Sequence, residues 1–100
     1  MNVDLLYVPD CPNGPLARRR LRAALVATGR HERDVREREV ATAEDAARLG
    51  MRGSPTVLVD GRDPFADPAA ETSLSCRLYR TGDQVEGAPS IDQLVEALSG

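Results

Sequence analysis

Lysine and tryptophan are absent from this 100-residue chain, and Tyr7, Phe65 and Tyr79 are its only aromatic residues. Without large rings the interior must be filled by Leu, Val and Ala, and the length suits one small core and a single domain over residues 1–100. No apolar run approaches the ~20 residues of a membrane-spanning helix. Residues 1–15 also lack a basic start followed by an apolar block. No membrane association is expected, and the chain reads as cytoplasmic. Cysteine is scarce as well, with Cys11 and Cys76 alone. Two cysteines in such a chain are more easily read as reduced, reactive thiols than as a staple. A zinc site would need His31 or carboxylates to join them, and the spacing does not offer this, so neither a metal nor a cofactor is expected. All thirteen basic residues are arginine, against sixteen acidic ones, for a net charge of −3. The missing lysine reads as the bias of a GC-rich bacterial genome, and the negative balance argues against nucleic acid as a partner.

What is present is organised around Gly53-Ser54-Pro55-Thr56-Val57-Leu58-Val59-Asp60-Gly61. Proline cannot donate to a ladder, so a strand should start at Thr56, directly after it, and Asp60-Gly61 should reverse the chain. The bond before Pro55 is also where a cis peptide is tolerable.

Along the chain, Val3–Val8 is apolar enough for a buried strand. Pro12 or Pro15 then opens a helix whose stripe of Leu16, Ala17, Leu21, Ala24, Leu25 and Thr28 ends at Gly29. Arg18, Arg19 and Arg22 lie off that stripe, and the Arg18–Arg22 cluster reads as a solvated face. The charged segment Val35–Val40 predicts a strand at a sheet edge. Thr42 caps a short helix running to Leu49 and closing at Gly50. Arg62–Ser73 is a Pro- and Ala-rich insertion. Ser75–Arg80 alternates like one half-buried strand, with Cys76, Leu78 and Arg80 on one face. Ser90 should cap a final helix carrying Ile91, Leu94, Val95 and Leu98.

The order β-α-β-α-β-β-α, with Met51-Arg52-Gly53-Ser54-Pro55-Thr56, Cys11 directly after the first strand and Gly87-Ala88-Pro89-Ser90 before the last helix, resembles the thioredoxin-like superfamily. More narrowly, Pro9-Asp10-Cys11-Pro12-Asn13 together with Ser73-Leu74-Ser75-Cys76-Arg77-Leu78-Tyr79 is similar to small actinobacterial thioredoxin-like proteins with a Cys-Pro-Asn-Gly motif, some labelled alkylmercury lyase. The resemblance implies an α/β fold with a mixed four-stranded sheet and helices on both faces. It also implies a cis Pro55 facing Cys11, and a cleft shaped by Pro12, Ser54, Pro55 and Thr56. One departure is decisive for chemistry: where thioredoxins carry a second cysteine, this chain has Gly14.

Three functions follow. Cys11 can attack a disulfide and be resolved by Cys76, although hairpin geometry sets Cys76 opposite Asp60, remote from Pro55, where a small inward-facing residue is the bland reading. Alternatively, Cys11 works as a monothiol with a small thiol or protein disulfide, or captures a soft metal or organomercurial, with Asp10 as proton shuttle. Finally, the domain is a redox-inactive binding module. A helix N-terminus behind Cys11 favours its thiolate, Asp10 opposes that, and Arg18 can offset Asp10. Oligomeric state is left open.

Overall fold

Strand β1 (Val3–Tyr7) is buried on both faces, so the chain is built in layers around it. The computed structural model describes residues 1–67 and 69–99. Val3 and Leu5 face one side, where they meet Ala17, Leu21, Ala24 and Leu25 of helix α1 (Gly14–Ala27), Leu94 and Leu98 of helix α3 (Ile91–Ser99), and Val57. Leu6 faces the other, packed with Val40, Met51, Leu58 and Ala46 of helix α2 (Ala43–Leu49). Helices therefore lie on both faces of the sheet. Fully burying each such leucine is worth about 1.5–3 kcal/mol, which makes these two clusters the main hold on the helices.

Three strands make the main sheet, in the order β2-β1-β4. Strand β2 (Val35–Glu39), entered through a helical turn at Glu32–Asp34, pairs parallel with β1 from Val3↔Val35 to Tyr7↔Glu39. It occupies the expected edge, where its charges find partners: Arg36 donates to Asp4 at 2.9 Å. Between β2 and the proline, the chain passes through α2 and strand β3 (Arg52–Ser54). Strand β4 (Thr56–Val59) then runs antiparallel to β1, from Leu6↔Thr56 to Val3↔Val59.

The helix signals hold at their ends. The Thr42 hydroxyl accepts from the Asp45 N–H at 3.1 Å, and Gly50 adopts a left-handed cap with φ 76°. Ser90 Oγ accepts from the Gln93 N–H at 3.1 Å while Gln93 Oε1 accepts from the Ser90 N–H at 2.9 Å, a reciprocal cap for α3.

The element order and the four-stranded sheet differ from expectation. No continuous strand covers Ser75–Arg80: strand β5 (Ser73–Cys76) ends there, Arg77 and Leu78 lie between, and strand β6 (Tyr79–Thr81) pairs with strand β7 (Gln84–Glu86) in a separate hairpin. Cys76, Leu78 and Arg80 thus share no strand face. β5 instead pairs parallel with β3 in a second two-stranded sheet. The Asp60-Gly61 reversal does form, with φ 52° and 80° and reciprocal bonds between Val59 and Arg62. Its ladder stops at that bridge because the insertion, of which Pro68 lies outside the described residues, carries the chain to the other side of Pro55. Among the described residues, no helix is long and apolar enough to cross a membrane.

Candidate functional site

Cys11 sits in a tight corner between β1 and α1. Its N–H donates to the Val8 carbonyl at 3.2 Å, and its own carbonyl accepts from the Gly14 N–H at 3.2 Å. The helix thus begins at Gly14, with Asn13 as its cap and Pro15 in its first turn, and Cys11 stands just ahead of it. The thiol-bearing residue is half-buried, whereas Pro12 and Asp10 are exposed. Asp10 has a left-handed φ of 59° and enters no hydrogen bond or ion pair among the described residues. Arg18 does not offset it: its guanidinium is held by Glu37, which it shares with Arg22 at 2.9 Å, and that contact raises the Arg18 pKa. Arg20 reaches Glu86 at 2.7 Å and the carbonyls of Ala88 and Pro89 at 3.2 and 3.3 Å. The arginine cluster is therefore largely engaged in tying α1 to its neighbours.

Two residues that the sequence reading did not assign complete the corner. A methyl carbon built on Gly14 would lie 3.8 Å from Cys11 Cβ and 3.9 Å from Tyr7 Cβ, so Tyr7 and Cys11 both abut the first helical turn. One built on Gly87 would overlap the Asn13 side chain at 2.2–2.4 Å. The backbone before α3 thus packs directly on the cysteine loop.

The Ser54–Pro55 bond that follows β3 is cis. Val8 joins the two walls, because its N–H donates to Ser54 Oγ at 3.0 Å while its carbonyl accepts from Cys11. Every carbonyl around the cis bond is occupied from within the chain. Gly53 accepts from the Thr56 hydroxyl at 2.6 Å, Ser54 from the Arg77 N–H at 3.0 Å and Pro55 from the buried Tyr79 phenol. Ser54 is only 2% exposed, Thr56 is fully buried and Pro55 is equally enclosed. Thr56, expected to line a cleft, instead supports the wall from behind, also accepting from Arg77 Nη1 at 3.2 Å.

Cys76 is exposed and is the ladder partner of Ser54. Two expectations are corrected here. The residue is not an inward-facing apolar filler, and it lies beside the proline wall, about 5 Å from Ser54 at ordinary strand spacing, instead of opposite Asp60. Arg77 is what anchors this arrangement. Its guanidinium grips Asp63 at 2.6 and 3.3 Å and the Phe65 carbonyl at 2.9 Å, and it stacks 4.6 Å from the Tyr79 ring, which meets Phe65 edge-on at 5.8 Å. Two of the three aromatic residues thus fasten the insertion to the proline wall, and the third flanks the cysteine corner.

A surface hollow of about 550 Å³ lined by Arg22, Val26, Arg30, His31, Glu32 and Arg33 opens at the other end of α1, away from Cys11. Among the described residues, no three His, Cys, Asp or Glu side chains converge as a metal site. No protein-family model, curated protein or solved structure matches the chain.

Proposed function

We propose that the chain is a thioredoxin-like thiol–disulfide exchange protein in which Cys11 is the nucleophile and Cys76 the resolving thiol. The observation that carries this reading is that Ser54 is tied to both cysteine-bearing segments: its Oγ accepts from Val8, whose carbonyl accepts from the Cys11 N–H, and its ladder partner on β5 is Cys76. Further support comes from the parallel and antiparallel pairings around β1 and the helices on both faces. Cys76 takes over the task that Gly14 leaves undone in the helix.

In the reaction, the Cys11 thiolate attacks one sulfur of a disulfide, forming a mixed disulfide and releasing one thiolate, which takes a proton from water. The Cys76 thiolate then attacks the Cys11 sulfur, releases the second thiolate and leaves a Cys11–Cys76 disulfide. A dithiol, or two equivalents of a small thiol, reduces that bond and is itself oxidised. A redox-inactive module gripping a partner between Cys11 and Pro55 is less well supported, because the proline wall is enclosed. Mercury–carbon cleavage lacks a positioned acid, since Asp10 is exposed and unheld.

Mass spectrometry after one equivalent of oxidised glutathione tests the reading. The native chain is expected to lose two hydrogens as an internal disulfide, and the Cys76→Ser variant to stop as a Cys11–glutathione adduct. Two unmodified thiols in the native chain would refute it.

A further inference from the structure

Exchange at Cys11, on the reading above, requires a disulfide to approach the corner beside Pro55, and the residues around that corner restrict what can approach. An extended polypeptide docks through backbone hydrogen bonds along an open strand edge. Directly before the cis bond lies the edge of β3. Its Ser54 accepts from Val8 through Oγ and pairs with Cys76 in the ladder, and the carbonyls of Gly53, Ser54 and Pro55 are already bonded to Thr56, Arg77 and Tyr79.

Gly53 records how closely the covering strand lies. Its φ is +107°, and a Cβ there would fall 2.9 Å from Arg77 Cβ and 3.0 Å from the Ser75 carbonyl. No peptide fits between them. The cover is also fastened independently of its ladder, through the Arg77–Asp63 pair, whose side chains are only 11% and 2% exposed. By contrast, Cys11 remains partly exposed between two exposed neighbours, Asp10 and Pro12.

We propose that β5 is a built-in occupant of the edge beside the thiol, and that the site therefore takes low-molecular-weight disulfides and excludes extended polypeptides. Cys76 then stands opposite Ser54, on the strand that fills this edge. The proposal rests on the exchange reading and adds the class of substrate to it. The step itself is the one written above, with a small disulfide as oxidant and a dithiol as the final reductant.

The test compares turnover of oxidised glutathione with that of insulin disulfides by the same native protein, with dithiothreitol as reductant. Each of the three carbonyl bonds that a peptide must displace is worth a factor of about five, so kcat/KM should favour the small disulfide by about 100-fold. In Arg77→Ala, which loses the side-chain grip on Asp63 and Phe65 that fastens the cover but keeps the three carbonyl bonds, that preference should fall several-fold. Equal turnover of both substrates by the native chain would overturn the inference while leaving the exchange reading intact, as would a folded Arg77→Ala protein with unchanged selectivity. Failure to turn over either substrate would overturn the exchange reading itself. If Arg77→Ala does not fold, the native comparison still decides.

Discussion

Installing a cysteine at position 14 tests the geometry of the Cys11 corner directly. An ideal Cβ on Gly14 lies 3.8 Å from that of Cys11, at the centre of the ~3.5–4.5 Å range that a disulfide spans. The other nearest atoms, of Tyr7, are at 3.9 Å, ordinary contact distance, so a side chain fits without displacing its neighbours. Gly14→Cys in a Cys76→Ser background should therefore oxidise cleanly, joining Cys11 to the thiol introduced three residues later. Closing a loop of four residues removes enough unfolded-state entropy to stabilise the oxidised form over the reduced one by about 2 kcal/mol. For a domain of this size, that corresponds to a melting shift of roughly 8–16 °C.

The same arithmetic separates the two possible pairings. A native Cys11–Cys76 link closes 66 residues, counted from 11 to 76 inclusive, and should stabilise by about 4 kcal/mol. Thermal melts of oxidised and reduced samples, with thiol counting, provide the measurement. The Gly14→Cys protein should also regain a full exchange cycle without Cys76. Two free thiols after oxidation in a glutathione buffer, or an oxidised form less stable than the reduced one, would show that Gly14 does not face Cys11.

Removing Arg77 should be costly whatever it does to selectivity. Arg77→Ala leaves the Asp63 carboxylate, 2% exposed, without its partner, and chemical denaturation should show a loss of about 3–5 kcal/mol. Gly53→Ala combines the strain of φ +107° with a Cβ 2.9 Å from Arg77 Cβ, whereas Gly29→Ala meets only the strain of φ +80° with open space around it. The first should destabilise by about 2–4 kcal/mol and the second by about 1 kcal/mol, and equal losses would refute the close packing of β5 on β3. Acid should weaken the fold. Glu86 titrates below its ordinary 4.5 because Thr81 and then Arg20 bond its carboxylate, and Asp45 below 3.8 through Arg48 and then Thr42. The unfolded chain therefore binds more protons between the two sets of values, and stability present above about pH 4.5 should fall as pH drops through the lower ones. Glu86→Gln should flatten that acid limb, and an unchanged limb in denaturation curves would count against the Arg20–Glu86 tie.

Local signals carried most of the frame. The apolar run at Val3–Val8, the helical stripe from Leu16, the caps at Thr42 and Ser90 and the Asp60-Gly61 turn each depend on residues within a few positions of one another. What escaped was non-local. β3 is three residues long, contains a glycine and pairs with a segment about twenty residues later, so neither periodicity nor propensity marks it. Ser75–Arg80 alternates like a strand, yet Arg77 is drawn out of that alternation by Asp63, fourteen residues earlier in sequence. The hairpin rule misplaced Cys76 because it assumes that a tight turn is followed by pairing, and here the ladder ends at the Val59–Arg62 bridge.

The shortage of aromatic residues explains why that detour matters. Leu, Val, Ala and Met51 fill the two clusters around β1, with Tyr7 and Phe65 packed against the first and Tyr79 in neither. Phe65 and Tyr79 meet where the insertion crosses the proline wall. There Tyr79 bonds the Pro55 carbonyl, Phe65 packs edge-on against it and Arg77 stacks on the same ring. If the insertion were an idle surface loop, burying the chain's second tyrosine and an Arg–Asp pair beneath it would be a poor use of a small core, since a buried pair is seldom stabilising against an apolar replacement. Fixing β5 beside Ser54 gives that arrangement a purpose: it sets Cys76 next to the residue that Val8 ties to the Cys11 loop.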